Sequence, residues 1–179
     1  MKKSIIPVIA VCLFLFSCKG DIYRFTNEEL NFLPYMLGDK IIAWNNYSSD
    51  TMTFEVIGYN LLVTGTAYDL DEFESLEIIL EEDNSVIHYN QYKEDNIFGF
   101  IIDVYIDQKG VFYPSSNYDH EQNYTYVDNL LIDNLNYKDV YIIQNEEDEE
   151  NKSTLYLNSQ QGFIKIEYDN GNEIYFKSL

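Results

Sequence analysis

The sequence predicts a mainly β fold, an antiparallel meander that forms a β-sandwich or barrel, with one short N-terminal helix. Three observations predict it. Apolar and polar residues alternate with a period of two along one run after another. Turn-forming clusters of Asp, Asn, Ser and Gly separate those runs at hairpin spacing. Tyrosine and phenylalanine, 17 and 11 of 179 residues, supply large side chains that suit a pleated, half-buried surface.

The N-terminal stretch is set apart before the elements are placed. Lys2 and Lys3 precede an apolar run from Ile5 to Phe16 that Pro7 interrupts. Twelve residues make about 18 Å of helix, short of the roughly 30 Å hydrocarbon core, so the run is not a spanning anchor. Leu15-Phe16-Ser17-Cys18 closes it and resembles a lipobox: an aliphatic residue three before a cysteine, then a small residue just before it. The resemblance implies a lipoprotein signal peptide over 1–17, cleavage before Cys18, and lipid on its sulfur, with acyl chains such as palmitate. Cysteine usage agrees. The only other cysteine, Cys12, lies in the segment to be removed, so no internal disulfide can form and the fold rests on its core. A thioether also protects what would otherwise be a free exported thiol.

Residues 18–24 then read as the lipidated cysteine and a short tether, and 25–179 as a single β-rich domain, since no repeat or Pro/Gly/Ser linker divides it. The whole chain has a net charge of −20, which becomes about −22 once the two signal lysines are gone. Nucleic acid and anionic membrane surfaces repel such a protein, so acyl chains and not electrostatics must hold it to a bilayer.

The elements follow in order. Thr26-Asn27-Glu28-Glu29 is a capping box and predicts a short helix to about Phe32, ended by Pro34. Met52, Phe54 and Val56 alternate with Thr51, Thr53 and Glu55 as a half-buried strand. Residues 70–82 fit a helix face through Phe73, Leu76 and Leu80, or a strand through Leu76, Ile78 and Leu80. Strand is the favoured reading, because Asp83-Asn84-Ser85 turns directly into Val86-Ile87-His88-Tyr89. Phe98, Phe100, Ile102, Val104 and Ile106 form one apolar face. Near the C-terminus Ile164, Ile166 and Tyr168 oppose Phe163, Lys165 and Glu167. The turns Asp107-Gln108-Lys109-Gly110, Ser159-Gln160-Gln161-Gly162 and Asp169-Asn170-Gly171 mark hairpins, the last most strongly. Nine or ten strands are expected.

Tyr137 to Ile143, Leu155-Tyr156-Leu157, Gly162 to Tyr168 and Asn170-Gly171 together resemble the closing strands of small Bacteroidota outer-membrane lipoproteins without an assigned activity. Phe25 to Leu30 and Leu37-Gly38-Asp39 are similar to their opening. The resemblance covers about 60 of the 179 residues; it implies fold and location and carries over no catalytic or binding residue. Lys19, where enteric inner-membrane lipoproteins carry aspartate, and the partial likeness of Lys19-Gly20-Asp21 to a surface-export tag imply outer-membrane attachment. Whether the domain faces the periplasm or the cell surface stays open.

Candidate sites are few. With only His88 and His120, a multi-histidine metal centre is excluded. His88 reads as a partly exposed sheet residue. His120 lies in a loop beside Asp119 and Glu121 with no marked nucleophile. No nucleophile elbow, zinc-protease motif or phosphate loop occurs, so no catalytic residue, metal or cofactor is assigned. Glu146 to Glu150 reads as a solvated, edge-protecting loop, and Asp69, Asp71, Glu72 and Glu74 likewise. Asp50-Thr51-Met52 fits a short O-glycosylation motif of this bacterial group, which would require that turn to be exposed. Among the aromatics, Trp44, just before the polar loop 45–50, is the one marked as a ligand platform.

Three functions compete. The leading expectation is a non-catalytic, lipid-anchored envelope domain that binds a partner or has a structural role. The alternatives are a glycan-binding lipoprotein of a polysaccharide uptake system, which requires two or more coplanar exposed aromatics at a cleft, and a hydrolase of unrecognised type, which requires converging polar groups with perturbed carboxylates.

Overall fold

The computed structural model describes residues 22–46, 49–65, 72–94, 97–106, 109–114, 124–145 and 152–179. Residues 1–17, where a signal peptide is expected, Cys18 and the sequence up to Asp21 lie outside the described residues, as do Asp69, Asp71, His120 and the run Glu146 to Glu150.

The fold is mainly β. In chain order the strands are β1 (Ile22–Tyr23), β2 (Lys40–Asn45), β3 (Thr51–Gly65), β4 (Glu72–Glu82), β5 (Ser85–Glu94), β6 (Ile97–Ile106), β7 (Lys109–Pro114), β8 (Tyr124–Ile132), β9 (Leu135–Asn145), β10 (Ser153–Asn158), β11 (Gly162–Tyr168) and β12 (Glu173–Ser178), with one helical turn, α1 (Asn27–Leu30), between β1 and β2. Residues 72–82 form strand, as favoured. The capping box is present: Thr26 Oγ1 accepts from the Glu29 amide at 3.2 Å, and Glu29 Oε2 accepts from the Thr26 amide at 2.6 Å. Helix ends at Leu30, two residues before the expected limit, because Phe32 and Leu33 are drawn into the core.

All strands join one sheet in the order β7-β6-β5-β4-β3-β2-β12-β11-β10-β9-β8. Two meanders, β2 to β7 and β8 to β12, are thus welded where β12 pairs with β2. Every pairing along this path is antiparallel; only β1, parallel to β4, departs. The sheet curls into a half-barrel: among the described residues β7 and β8 end it unpaired with each other, while Phe100 on β6, next to β7, stacks on Tyr124 of β8 at 6.1 Å between ring centroids.

The alternation read in the sequence decides which side chains fill the curl. Phe54, Leu76, Ile78, Leu80, Ile87, Tyr89, Phe100, Ile102 and Val104 from one meander meet Ile143, Leu155, Leu157, Phe163 and Ile166 from the other. The segment after α1 plugs the remaining space. Phe32 sits 5.1 Å from the Phe100 ring and 4.9 Å from the Tyr141 ring, so it touches both meanders. Polar contacts seat this plug. Gln91, fully buried, donates to the Glu29 carbonyl at 3.0 Å, and Lys93 reaches the Glu29 carboxylate at 2.8 Å.

One local difference from the expected alternation has a clear cause. Tyr156 pairs with Lys165 but Leu157 pairs with Phe163, so Ile164 is an extra residue in a β-bulge. Phe163 and Ile166 therefore both enter the main core. Ile164 instead packs with Ile132 and Val140 in a small second cluster beneath the β8–β9 hairpin. That hairpin turns at Asp133 and Asn134, with φ of 49° and 67°, the left-handed pair that a two-residue turn requires.

Candidate functional site

The face turned away from the core carries one row of side chains across four adjacent strands. Trp44 on β2 pairs with Tyr175 on β12, Tyr175 with Lys165 on β11, and Lys165 with Tyr156 on β10. Alternation brings them together: Ala43, Phe176, Ile166 and Leu155 next to them point inward, so these four point out. The Trp44 and Tyr175 rings are nearly parallel, 14° apart with centroids at 5.1 Å. Trp44 remains 39 % exposed. The Lys165 ammonium lies 5.2 Å from the Tyr175 ring centroid.

Beside Trp44 opens a hollow of about 530 Å³. Trp44, Tyr137 and Leu135 line it together with Gln160, Gln161, Lys177 and Ser178, and it reaches the chain at Phe176, whose ring belongs to the core. The β10–β11 turn that contributes Gln160 and Gln161 to this lining is held in place. Asn158, buried, accepts from the backbone amides of Gln160 and Gln161 at 3.2 and 2.8 Å and donates to the Lys138 carbonyl at 3.0 Å. The carboxamides therefore project from a held backbone. A smaller hollow of about 210 Å³ lies nearby, bounded by the hairpin tip at Leu131 and Asp133 and by Tyr156, Lys165 and Glu167.

The charges of the row neutralise one another. The Lys165 side chain is 7 % exposed, bonds Glu173 at 2.5 Å and lies 3.5 Å from Glu167. Burial alone would lower its pKa, but the Glu173 hydrogen bond and both carboxylates outweigh that and raise it. Glu173 is held below the usual carboxylate range, first by Lys165. Burial, then Asp133 and Glu173, push the Tyr175 phenol far up. Asn46 completes the cluster, donating to Glu173 Oε2 at 2.8 Å and accepting from the Glu173 amide at 2.9 Å. A protonated lysine, an ionised carboxylate and a protonated phenol in mutual contact suit fixed recognition better than proton transfer.

The other sequence candidates lie apart. His88 sits on the outer face of β5, its Nε2 2.7 Å from Glu77 Oε1, with Asp103 directly across on β6. Thr51 and Asp50 are exposed, as the modification motif requires. Glu74 departs from its expected solvated role. It is buried, accepts from the Phe25 amide at 2.8 Å and faces Arg24 at 3.9 Å, because β1 and the plug cover its end of β4. Among the described residues no group of His, Cys, Asp and Glu could hold a metal ion, and no helix is long and apolar enough to cross a membrane. The sequence reading marked Trp44 but missed Tyr175, Lys165 and Gln160. The hairpin at Asp169-Asn170-Gly171 could have supplied the first two, since it sets β11 against β12 and so pairs Lys165 with Tyr175.

No family model, curated protein or solved structure matches this chain.

Proposed function

We propose that this protein is a non-catalytic binding domain of the bacterial envelope, held at the outer membrane by lipid on Cys18, and that it takes its ligand on the outer face beside Trp44. One observation carries the binding site: a half-exposed tryptophan, braced from behind by Tyr175, borders a hollow with a preset carboxamide turn. The anchor reading rests on the Leu15-Phe16-Ser17-Cys18 motif. Because Ile22 already pairs with β4, only the chain from Cys18 to Asp21 separates lipid from sheet, at most ~14 Å. The site then works close to the bilayer, within reach of other envelope components.

Carbohydrate is the ligand class that a specific feature favours. A pyranose ring presents an apolar face that lies on an indole and a rim of hydroxyls that bond carboxamides and ammonium groups. Trp44, with Gln160, Gln161, Lys177 and Ser178 at its border, offers both, as a single-ring subsite: Tyr175 stacks on Trp44 face to face, so the coplanar pair of exposed aromatics expected of a glycan cleft is not formed here. A hydrolase reading lacks support at this site, where the nearest carboxylates are committed to Lys165.

The test combines fractionation with glycan binding. Wild-type protein is expected in the outer-membrane fraction and Cys18→Ser in the soluble one; a Cys18→Ser protein that stays on membranes would sink the anchor. On a glycan array, binding is expected in the wild type and at least tenfold weaker in Trp44→Ala. Equal binding by both would remove Trp44 from the site, and no binding by either would direct the search to protein partners.

A further inference from the structure

Beyond the ligand face, the free edge of β3 marks an interaction surface. β2 pairs with β3 only from Thr51 to Glu55, whereas β4 pairs with it as far as Gly65. From Ile57 onward, therefore, β3 has a strand partner on one side only among the described residues. An open edge leaves alternate backbone N–H and C=O groups directed outward, ready to pair with another strand. Its side chains reinforce that invitation. Leu61, Leu62 and Val63 are 48, 50 and 53 % exposed, and Ile57 is half exposed. Leu61 and Val63 lie opposite Leu76 and Glu74 on the core-side face, while Leu62 lies on the other, so both faces of the projecting strand are apolar.

Charge identifies the occupant. In a chain of net charge −20, no charged residue occurs between Glu55 and Asp69. Two copies of so anionic a protein repel one another across most of their surfaces. The β3 edge is a strip where they can meet without setting carboxylate against carboxylate. A bilayer fits this edge poorly, because hydrocarbon cannot satisfy unpaired backbone groups. We propose that β3 pairs antiparallel with β3 of a second copy, joining two half-barrels into one continuous sheet about a two-fold axis near Leu61. Such an axis is isologous and places like against like: Leu61 faces its own counterpart, Tyr59 faces Val63, and Asn60 faces Leu62. Each of these pairs is uncharged, and the Leu61 and Tyr59–Val63 pairs add the apolar cross-strand contacts that stabilise a ladder.

The experiment uses the mature protein from membranes in detergent, analysed by sedimentation at rising concentration. A dimer is expected, and its dissociation constant should fall as salt screens the net negative charge, about −22 on each mature copy. Leu61→Lys/Val63→Lys places four ammonium groups at the two-fold axis and is expected to be monomeric, with a thermal midpoint matching that of the wild type at concentrations low enough for both to be monomeric. Should that variant misfold, Leu62→Cys with a short bis-maleimide gives an independent readout: a crosslinked dimer well above the yield of the parent chain, and above that of Thr125→Cys on the β8 edge. A wild type that is monomeric throughout, a dimer that survives the lysines, or equal crosslinking from Thr125→Cys would overturn the proposal.

Discussion

The Tyr35 hydroxyl accepts a hydrogen bond from the Phe163 amide at 2.6 Å and donates one to the Gln161 carbonyl at 3.2 Å, straddling Gly162. The plug and the β10–β11 hairpin are 128 residues apart in sequence at this contact, and the phenol is fully buried, which pushes its pKa well up and keeps it a donor. Gly162 has a φ of +76°, and a Cβ there would run into the Tyr35 ring and hydroxyl. Gly162→Ala therefore meets both backbone strain and a steric clash and is expected to lose about 3 kcal/mol. Tyr35→Phe keeps the ring but leaves a buried amide unpaired, a loss of about 1–3 kcal/mol. Urea unfolding of both variants checks the order; a Gly162→Ala protein as stable as the wild type would mean Tyr35 moves aside freely.

The plug depends on its ion pair in a directional way. Glu29 has two supports, the Lys93 ammonium and the Thr26 amide, whereas Lys93 has Glu29 alone among the ion pairs of the described residues. Removing the carboxylate strands a mostly buried ammonium; removing the ammonium leaves a capped carboxylate. Glu29→Ala is expected to cost about 2–3 kcal/mol and Lys93→Met about 1 kcal/mol, below the figures for fully buried pairs because Glu29 keeps some solvent. Glu29→Ala/Lys93→Met should be more stable than Glu29→Ala alone. Additive losses in the double-mutant cycle would show the two side chains to be uncoupled.

Much of this arrangement was legible in the sequence, and the parts that were not have physical reasons. Period-two alternation gave the inward faces of β3, β4 and β6 because those strands bury one face, and Thr26 to Glu29 announced its own cap. Phe163 misled because a bulge puts an extra residue, Ile164, into the strand, and alternation has no memory across a bulge. Glu74 misled because its burial comes from Phe25 and Arg24, nearly fifty residues away. Trp44 stood out by its place just before the polar loop 45–50, but its setting did not. The partners Tyr175 and Gln160 reach it only through the β2–β12 weld, a pairing between opposite ends of the domain that no local pattern encodes.

Trp44 should be removable without loss of the fold, which makes its binding test interpretable. It lies on the outer face, partly exposed, and its main contact is the parallel stack on Tyr175. Such a pair contributes about 0.5–1.5 kcal/mol beyond the area it buries, and the covered part of the indole adds on the order of 1–2 kcal/mol. Trp44→Ala is therefore expected to lower the thermal midpoint by about 5–10 °C for a domain of this size, without loss of the fold. A collapse of the fold on Trp44→Ala, seen by circular dichroism, would recast the residue as structural.

The pH dependence of stability should carry the signature of Glu77. Its carboxylate accepts from the Asn60 amide at 3.1 Å and bonds His88 at 2.7 Å, and these contacts, Asn60 foremost, hold its pKa below the usual 4.5. A group depressed in the fold favours the folded state fully above its unfolded pKa, and that contribution disappears as pH falls through the folded value. Glu77→Gln removes the titration but keeps an acceptor for Asn60. The raw acid profile will not isolate this effect, because protonating many of the 31 carboxylates also relieves self-repulsion in so anionic a chain. The difference between wild type and Glu77→Gln does isolate it, since that background is common to both. The wild-type advantage in urea midpoint is expected to be constant above about pH 5.5 and to shrink steadily toward about pH 3. A difference independent of pH across that window would show that Glu77 is equally easy to protonate in the folded and unfolded chain, and that the Asn60 and His88 contacts do not favour its ionised form.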